Sequence, residues 1–525
     1  MYTYVGSLSA TVEGPEQARA GAIAQRRAAI AQSWTVIAQY PRAATTQRPR
    51  AGRRRRPSLL ASRGAHAAQP SSADRADSAF RVWLLLWAWT VLWAAGHAAA
   101  FGYSWHYFAQ GSRLLFGAPG GGLDLYATHP QLQIGPLTLA VAAPLNALGP
   151  SGGRVAATFL MTCTGPPLLD AIWRLVPATA RRRSPHTLLW AGLIFLPVWT
   201  ELGTHYGHLD DVLALIFGVG AMHAVARHRP VCAALLLAAA TDAKPWAAGF
   251  AILLFAFPRS TWWRSLPVFA GAVAVAWLPF LAADPHSLAT AQFTIPNSSA
   301  SGLRALGVAT ARTPSWDRPA QLALGGLIAA IAVWRGRWPS VILLVTGARI
   351  LLDPSVYPYY TSGVLVGTVA WDLATRNRYP WATITGAVAL YAAHIMGAMG
   401  ILSPHTLGLL RVAFVIGTAL AVIAWPSPSR RGQRHRPAVS PSATYMAGTA
   451  WRTQMPEGRR MPEGRRGQSP RRPAQPHDRQ GQRQQYPGDF PGRGPRLGPR
   501  DVPVTSERWN SARTSASTPW EPASR

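Results

Sequence analysis

HYGHLDDVLALIFGVGAMHAVA, residues 205–226, reads as the mouth and body of one apolar helix. Two adjacent carboxylates, Asp210 and Asp211, and two histidines, His205 and His208, stand at its entrance. The run that follows approaches the roughly 20 apolar residues that span a bilayer. Ionisable groups at membrane depth are expensive and mark function. One apolar hairpin later comes TDAKPW, residues 241–246, with Lys244, the only lysine of the chain. A carboxylate pair and a lone amine so placed predict a polar reaction site at a membrane surface.

Outward from that stretch, the chain divides into three regions. Of its 525 residues, 49% are hydrophobic and only 14% charged, and the net charge is +31. Residues 1–79 carry 12 Arg against 4 acids, and residues 426–525 carry 19 Arg against 7 acids. The two flanks therefore hold most of the positive excess, while residues 80–425 hold nearly all the long apolar runs. The expected class is an all-α, polytopic transmembrane helical bundle with disordered basic tails. The tails are rich in Ala, Arg and Ser on one side and in Pro, Gly, Arg and Gln on the other, with a tandem MPEGRR at 455–466. Such compositions bury too little apolar surface to offset the entropy of ordering. Beside a membrane their expected partner is anionic lipid. No aromatic-plus-basic motif points to nucleic acid. Cys163 and Cys232 lie in separate apolar segments and predict no disulfide framework.

Apolar segments fall near 80–101, 133–149, 155–173, 187–203, 210–227, 230–257, 265–283, 319–334, 338–352, 359–374, 381–402 and 407–425. The 230–257 run is interrupted by Asp242, Lys244 and Pro245, so it reads as two helices or one broken helix. The expectation is about 11–13 segments. FRVWLLLWAWTVLWAAGHAAAF, the first of them, is expected to be an uncleaved anchor, since no signal-peptide pattern precedes it. Arginine clusters at 53–56, 181–183, 227/229, 259/264, 335/337 and 376/378 predict cytoplasmic loops and termini in a cell membrane. They share one side only if 133–149, short and marked by proline, is re-entrant or interfacial. That topology sorts Asp124, Glu201, Asp210, Asp211, Asp284, Asp317 and Asp353 to the outer face, with Asp242 beside them. Asp170 and Asp372 fall inside. One polar chamber on the outer side is expected.

Four groups of residues carry the candidate chemistry. The first outer loop, YSWHYFAQGSRLLFGAPGGGLDLYATHPQLQ, holds His106, Asp124 and His129, although an aromatic interface belt also explains part of it. In HYGHLDD, Asp210 and Asp211 point about 100° apart on a helix, so they should not face one spot. His208 and Asp211, three residues apart, share a face. This arrangement suits a carboxylate base with a histidine partner. The alternatives are a helix cap and a divalent metal site, the latter with ligands from one helical turn only and no soft ligand. Lys244 either neutralises Asp242 or holds a phosphate in the chamber. In GARILLDPSVYPYYTSG, residues 347–363, Arg349 suits phosphate recognition. Asp353 and Tyr357 follow it, and the tyrosines are either belt residues or a stacking surface for a sugar.

In this order and spacing, the segments resemble membrane glycosyltransferases of the GT-C type, and in particular the actinobacterial branch that includes the family 87 mannosyltransferases. HYFAQGSRLLFG followed by HPQLQIGPLTLAVAAPL is similar to that family's first outer loop. GHLDDVLAL resembles its Gly-Gln-x-Asn-x-Leu-Leu segment, and RHRPVCAALLLAAATDAKPWA its arginine loop, Ala/Leu-rich helix and Lys-Pro. The resemblance covers 80–425 and neither tail. It implies an outward-facing site that takes a hexose from a polyprenyl-phosphate donor and gives it to a lipid or glycan acceptor, with no cofactor firmly implied. The family usually carries an aspartate near the position of Gly102 to Ser104, whereas the first loop carboxylate here is Asp124. Asp211, Asp210 and Asp124 are therefore the candidate bases, with Asp211 favoured by its register with His208. Lys244 and Arg349 are expected to steady the departing phosphate. His208, His205, His129, His106, Asp353 and Tyr357 are expected to bind substrate. A transporter or flippase of a lipid-linked or polar solute is the alternative, as is an inactive scaffold.

Overall fold

A computed structural model describes residues 72–98, 101–117, 119–176, 185–375 and 379–424. Both tails as far as 71 and from 425, and the arginine clusters at 53–56, 181–183 and 376/378, lie outside these residues. Among the described residues the chain is helical, with no strand beyond one antiparallel bridge between Pro296 and Arg312.

The principal helices are α1 (Ser72–Gly96), α2 (Trp105–Phe116), α3 (Pro136–Asn146), α4 (Gly149–Cys163), α5 (Gly165–Leu175) and α6 (Pro185–Thr200). They are followed by α7 (Leu209–Ala226), α8 (Pro230–Ala243), α9 (Trp262–Ala283), α10 (Asp317–Trp334), α11 (Val341–Leu352) and α12 (Tyr360–Thr375). The last two are α13 (Trp381–Ala398), which contains one π turn, and α14 (Pro404–Ala424). Helix α1 starts inside the segment read from sequence as tail, before residue 80. Each apolar segment of the sequence contains a helix.

Seven of the described helical stretches are long and apolar enough to cross a membrane, and four shorter apolar ones accompany them. Burial divides them by position. The stretches His186–Tyr206 and Leu209–Ala226 are 72% and 67% buried within the bundle, while Arg259–Ala283 is 6% buried. Helix α9 thus turns Val275 and Leu278 outward. In water that surface would be an aggregation site, whereas lipid tails cover it without cost. Helix α3, at 11 residues, is shorter than the roughly 20 residues that cross a bilayer.

Two interruptions shape the centre. Pro245 denies the helix a donor, so α8 ends at Ala243, Lys244 is extended, and a 3-10 run continues from Pro245 to Ala256. The broken run packs between α7, α9, α10 and α11. At the second interruption, α6 loosens into a π turn, Glu201–Tyr206, which Gly207 closes in the left-handed region at φ 65°. Three backbone bonds tie that turn to the chain entering α2. Gly102, Tyr103 and Ser104 donate to the carbonyls of Thr204, His205 and Tyr206 at 2.8, 3.0 and 2.7 Å. A Cβ on Gly207 would stand 2.9 Å from the Gly102 Cα, so this close approach needs glycine.

Candidate functional site

The site forms where the start of α7 meets the break after α8. His208 precedes α7 with non-helical φ and ψ, and Asp210 and Asp211 occupy its first turn, where acids complement the helix dipole. Asp210 is 1% exposed and Asp211 4%, so both carboxylates need partners. Lys244 supplies one: its ammonium donates to Asp210 Oδ2 and lies 3.8 Å from Asp211 Oδ2. Asp210 Oδ1 accepts the Asp211 amide at 2.8 Å. Asp211 Oδ1 accepts from the Trp246 indole at 3.2 Å and from Arg349 Nη1 at 3.4 Å. Asp211 Oδ2 has no hydrogen-bond partner among the described residues.

Arg349 extends the cluster across the bundle. Its guanidinium lies over the rings of Trp246 and Tyr360, 4.6 and 3.9 Å from their centroids, which favours a cation over the ring faces. Its Nε is 3.8 Å from Asp353 Oδ2, and Arg318 Nη1 is 4.0 Å from the same oxygen. Asp353 Oδ1 accepts the Ser355 amide at 2.8 Å. Charges therefore alternate from Lys244 through the aspartate pair and Arg349 to Asp353 and Arg318. Alternation in a low-dielectric core is what lets so many ionised groups remain buried.

An aromatic face leads to the same place. Tyr359 stacks on the His208 ring at 3.7 Å, and Tyr357 stacks on Tyr359 at 5.2 Å. A small cavity, with room for about one water, is lined by Asp211, Trp246, Thr346, Arg349, Tyr359 and Tyr360, among others.

Asp210, Asp211, His208, Lys244, Arg349, Asp353 and Tyr357 are thus brought together. Four other candidates are not. Asp124 is exposed and joins no ion pair among the described residues. His129 ends the short helix Leu125–Thr128, its backbone amide bonded to Leu125 O at 2.9 Å. His106 is exposed, donates to Tyr103 O at 2.9 Å and lies against Tyr107. His205 packs on His97 and Tyr206.

Three expectations are corrected. The aspartates do face one spot. His208 sits before the helix rather than on it, so its Nδ1 reaches both, at 3.4 Å from Asp210 Oδ1 and 3.5 Å from Asp211 Oδ2. Lys244 pairs with Asp210 rather than with Asp242, which Trp277 engages instead. The acids expected on the outer face also do not share a single chamber. Asp284 pairs with His286 on an exposed turn, where the His286 amide and then its ring hold the carboxyl below its ordinary value. Asp372, expected on the inner side, is structural: it accepts from the Ala382 and Thr383 amides and from the Thr383 hydroxyl.

Sequence reasoning missed Ser104, whose hydroxyl lies 3.0 Å from His208 Nε2, and gave Trp246 no role. The Trp246 signal was available in the same TDAKPW stretch, and Ser104 ends the Gly102–Ser104 stretch where the resemblance expects an aspartate. His208, Asp210 and Asp211 also offer ligand atoms within 4.8 Å of one another. Lys244 and Arg349 already place positive charge on both carboxylates, so this donor set does not fit a resident divalent metal. No family model, no curated protein and no solved structure matches the chain.

Proposed function

We propose that the protein is an integral-membrane glycosyltransferase of the GT-C type. It moves a hexose, such as mannose, from a polyprenyl-phosphate donor to a lipid or glycan acceptor on the outer face of the cell membrane, with both termini in the cytoplasm. The observation that carries this reading is the buried, alternating charge cluster built at a helix break inside an apolar bundle, with an aromatic face beside it. Intramembrane charge of this density is costly and is kept for chemistry or transport. Cations adjacent to a donor phosphate favour its departure, because they act most strongly as negative charge develops there. Lys244 and Arg349 are those cations. The Asp210, Asp211 and His208 group receives the proton of the acceptor hydroxyl. The tyrosines offer faces on which a sugar ring stacks. The cavity is smaller than a hexose, so binding requires its lining side chains to move apart. Anionic lipids are the expected partners of the basic tails.

The test is transfer of label from a radiolabelled polyprenyl-phosphate hexose by purified protein in lipid discs. Asp210→Asn and Asp211→Asn should each lower the rate by at least about 100-fold, the scale of general acid–base contributions. Full activity in both variants would remove the aspartates from the mechanism. Movement of labelled lipid between leaflets without any transfer would instead favour the transporter reading.

A further inference from the structure

We infer that His208, held by Ser104 and flanked by both aspartates, is the group that takes the acceptor's proton, and that neither aspartate does so directly. This inference rests on the transferase reading and narrows its base to one atom.

The carboxylates are poorly placed to act as bases. Asp210 has both oxygens engaged, by Lys244 and by the Asp211 amide. Asp211 Oδ1 is engaged by Trp246 and Arg349, and its Oδ2, which carries no hydrogen bond, is flanked by His208 Nδ1 at 3.5 Å and by Lys244 at 3.8 Å. Oxygens that already accept from these donors are not free to meet the acceptor's hydroxyl. His208 is held differently. Its Nδ1 faces only carboxylate oxygens, Asp210 Oδ1 at 3.4 Å and Asp211 Oδ2 at 3.5 Å. A carboxylate can only accept, so Nδ1 carries the proton of the neutral ring. Nε2 is then the bare nitrogen, and the Ser104 hydroxyl donates to it across 3.0 Å. This is the logic by which the partner of one ring nitrogen fixes the basicity of the other.

The ring is also fixed in space. Tyr359 covers one face at 3.7 Å, and Phe108 meets the ring edge-on at 6.2 Å. Ser104 is positioned by the three backbone bonds that join residues 102–104 to residues 204–206. Its hydroxyl marks the place of the acceptor's hydroxyl. Ser104 is thus a positioning residue, which holds the reactive tautomer until the acceptor displaces it.

In the step itself, the acceptor oxygen bonds to the anomeric carbon as the bond from that carbon to phosphate oxygen breaks. The lipid phosphate leaves with the electron pair, and the acceptor's proton passes to Nε2. The resulting imidazolium faces Asp211 Oδ2, the one carboxylate oxygen of the pair without a hydrogen bond. Water later removes the proton.

Two measurements test this on the full chain in lipid discs. Nitrogen-15 histidine spectra, with the His208 signal identified by its loss in His208→Gln, should show a neutral ring protonated at Nδ1 and bare at Nε2. The Nε2 shift should move in Ser104→Ala and return in Ser104→Thr. In the transfer assay, His208→Gln should lower kcat about 100- to 10,000-fold and leave the donor KM near that of the wild type. Ser104→Ala should cause a smaller loss that Ser104→Thr restores. The opposite tautomer, a doubly protonated ring under assay conditions, or an active His208→Gln beside an active wild type each overturns this inference and leaves the transferase reading standing. A wild type that transfers no sugar overturns both.

Discussion

Lys244 and Asp210 illustrate how a buried pair behaves at the scale of single residues. Each is costly alone in the bundle, and together they are tolerated. Lys244→Met should therefore destabilise the protein by about 3–5 kcal/mol, because Asp210 is left as an uncompensated buried charge. The double variant Lys244→Met with Asp210→Asn should recover most of that loss, since both charges are then gone. Thermal unfolding of the four proteins in lipid discs closes the double-mutant cycle, and additive losses would show that the pair is not coupled. The amine and the acids were legible in sequence as residues out of place in apolar runs. Their pairing was not. Lys244 ignores the acid two positions away because α8 ends between them and turns the extended Lys244 toward α7.

At the scale of elements, caps and breaks decide the geometry. Gly207 sits at φ 65° and touches Gly102. Gly207→Ala should cost about 1–3 kcal/mol, the price of a strained left-handed residue, and should also loosen the pairing of residues 102–104 with 204–206. Faster amide exchange at Tyr103 and Ser104 would report it, and unchanged exchange would refute the pairing's dependence on this glycine. Arg337 acts at another helix end. It is 4% exposed and donates to the Val422 and Ile423 carbonyls, the last turn of α14. Arg337→Met should remove about 1.5–3 kcal/mol, typical of hydrogen bonds to a charged group, with exchange rising in the final turn of α14 first. The break at Pro245 was readable from proline chemistry alone. The π turn before Gly207 was not, because nothing in local periodicity marks a single wide turn.

For the whole molecule, the helical type followed from apolar runs, whose lengths a bilayer dictates, but the number did not: 11–13 segments were expected, and seven described stretches are long and apolar enough to span, with four shorter ones beside them. The meeting of His208 with Ser104 did not follow either, because it joins residues 104 positions apart and no repeating pattern records such a contact. The helical-wheel argument failed for a related reason. It placed the aspartates on separate faces, but side chains in a first turn bend toward a partner that lies off the helix. The arginine-based topology makes its own prediction. With Cys163 and Cys232 replaced by Ala, a cysteine at Tyr103 should react with an impermeant maleimide added outside intact cells, and one at Trp263 should react only after permeabilisation. Both positions are well exposed, at 70% and 85%, so the reverse pattern would invert the bundle. The chain's only ε-amine, Lys244, is folded against Asp210 inside the helical bundle, so acylating reagents, amine crosslinkers and enzymes that modify lysine find no other lysine target. Covalent tagging at that amine then becomes a clock for the opening of the site, which a single mass increment records.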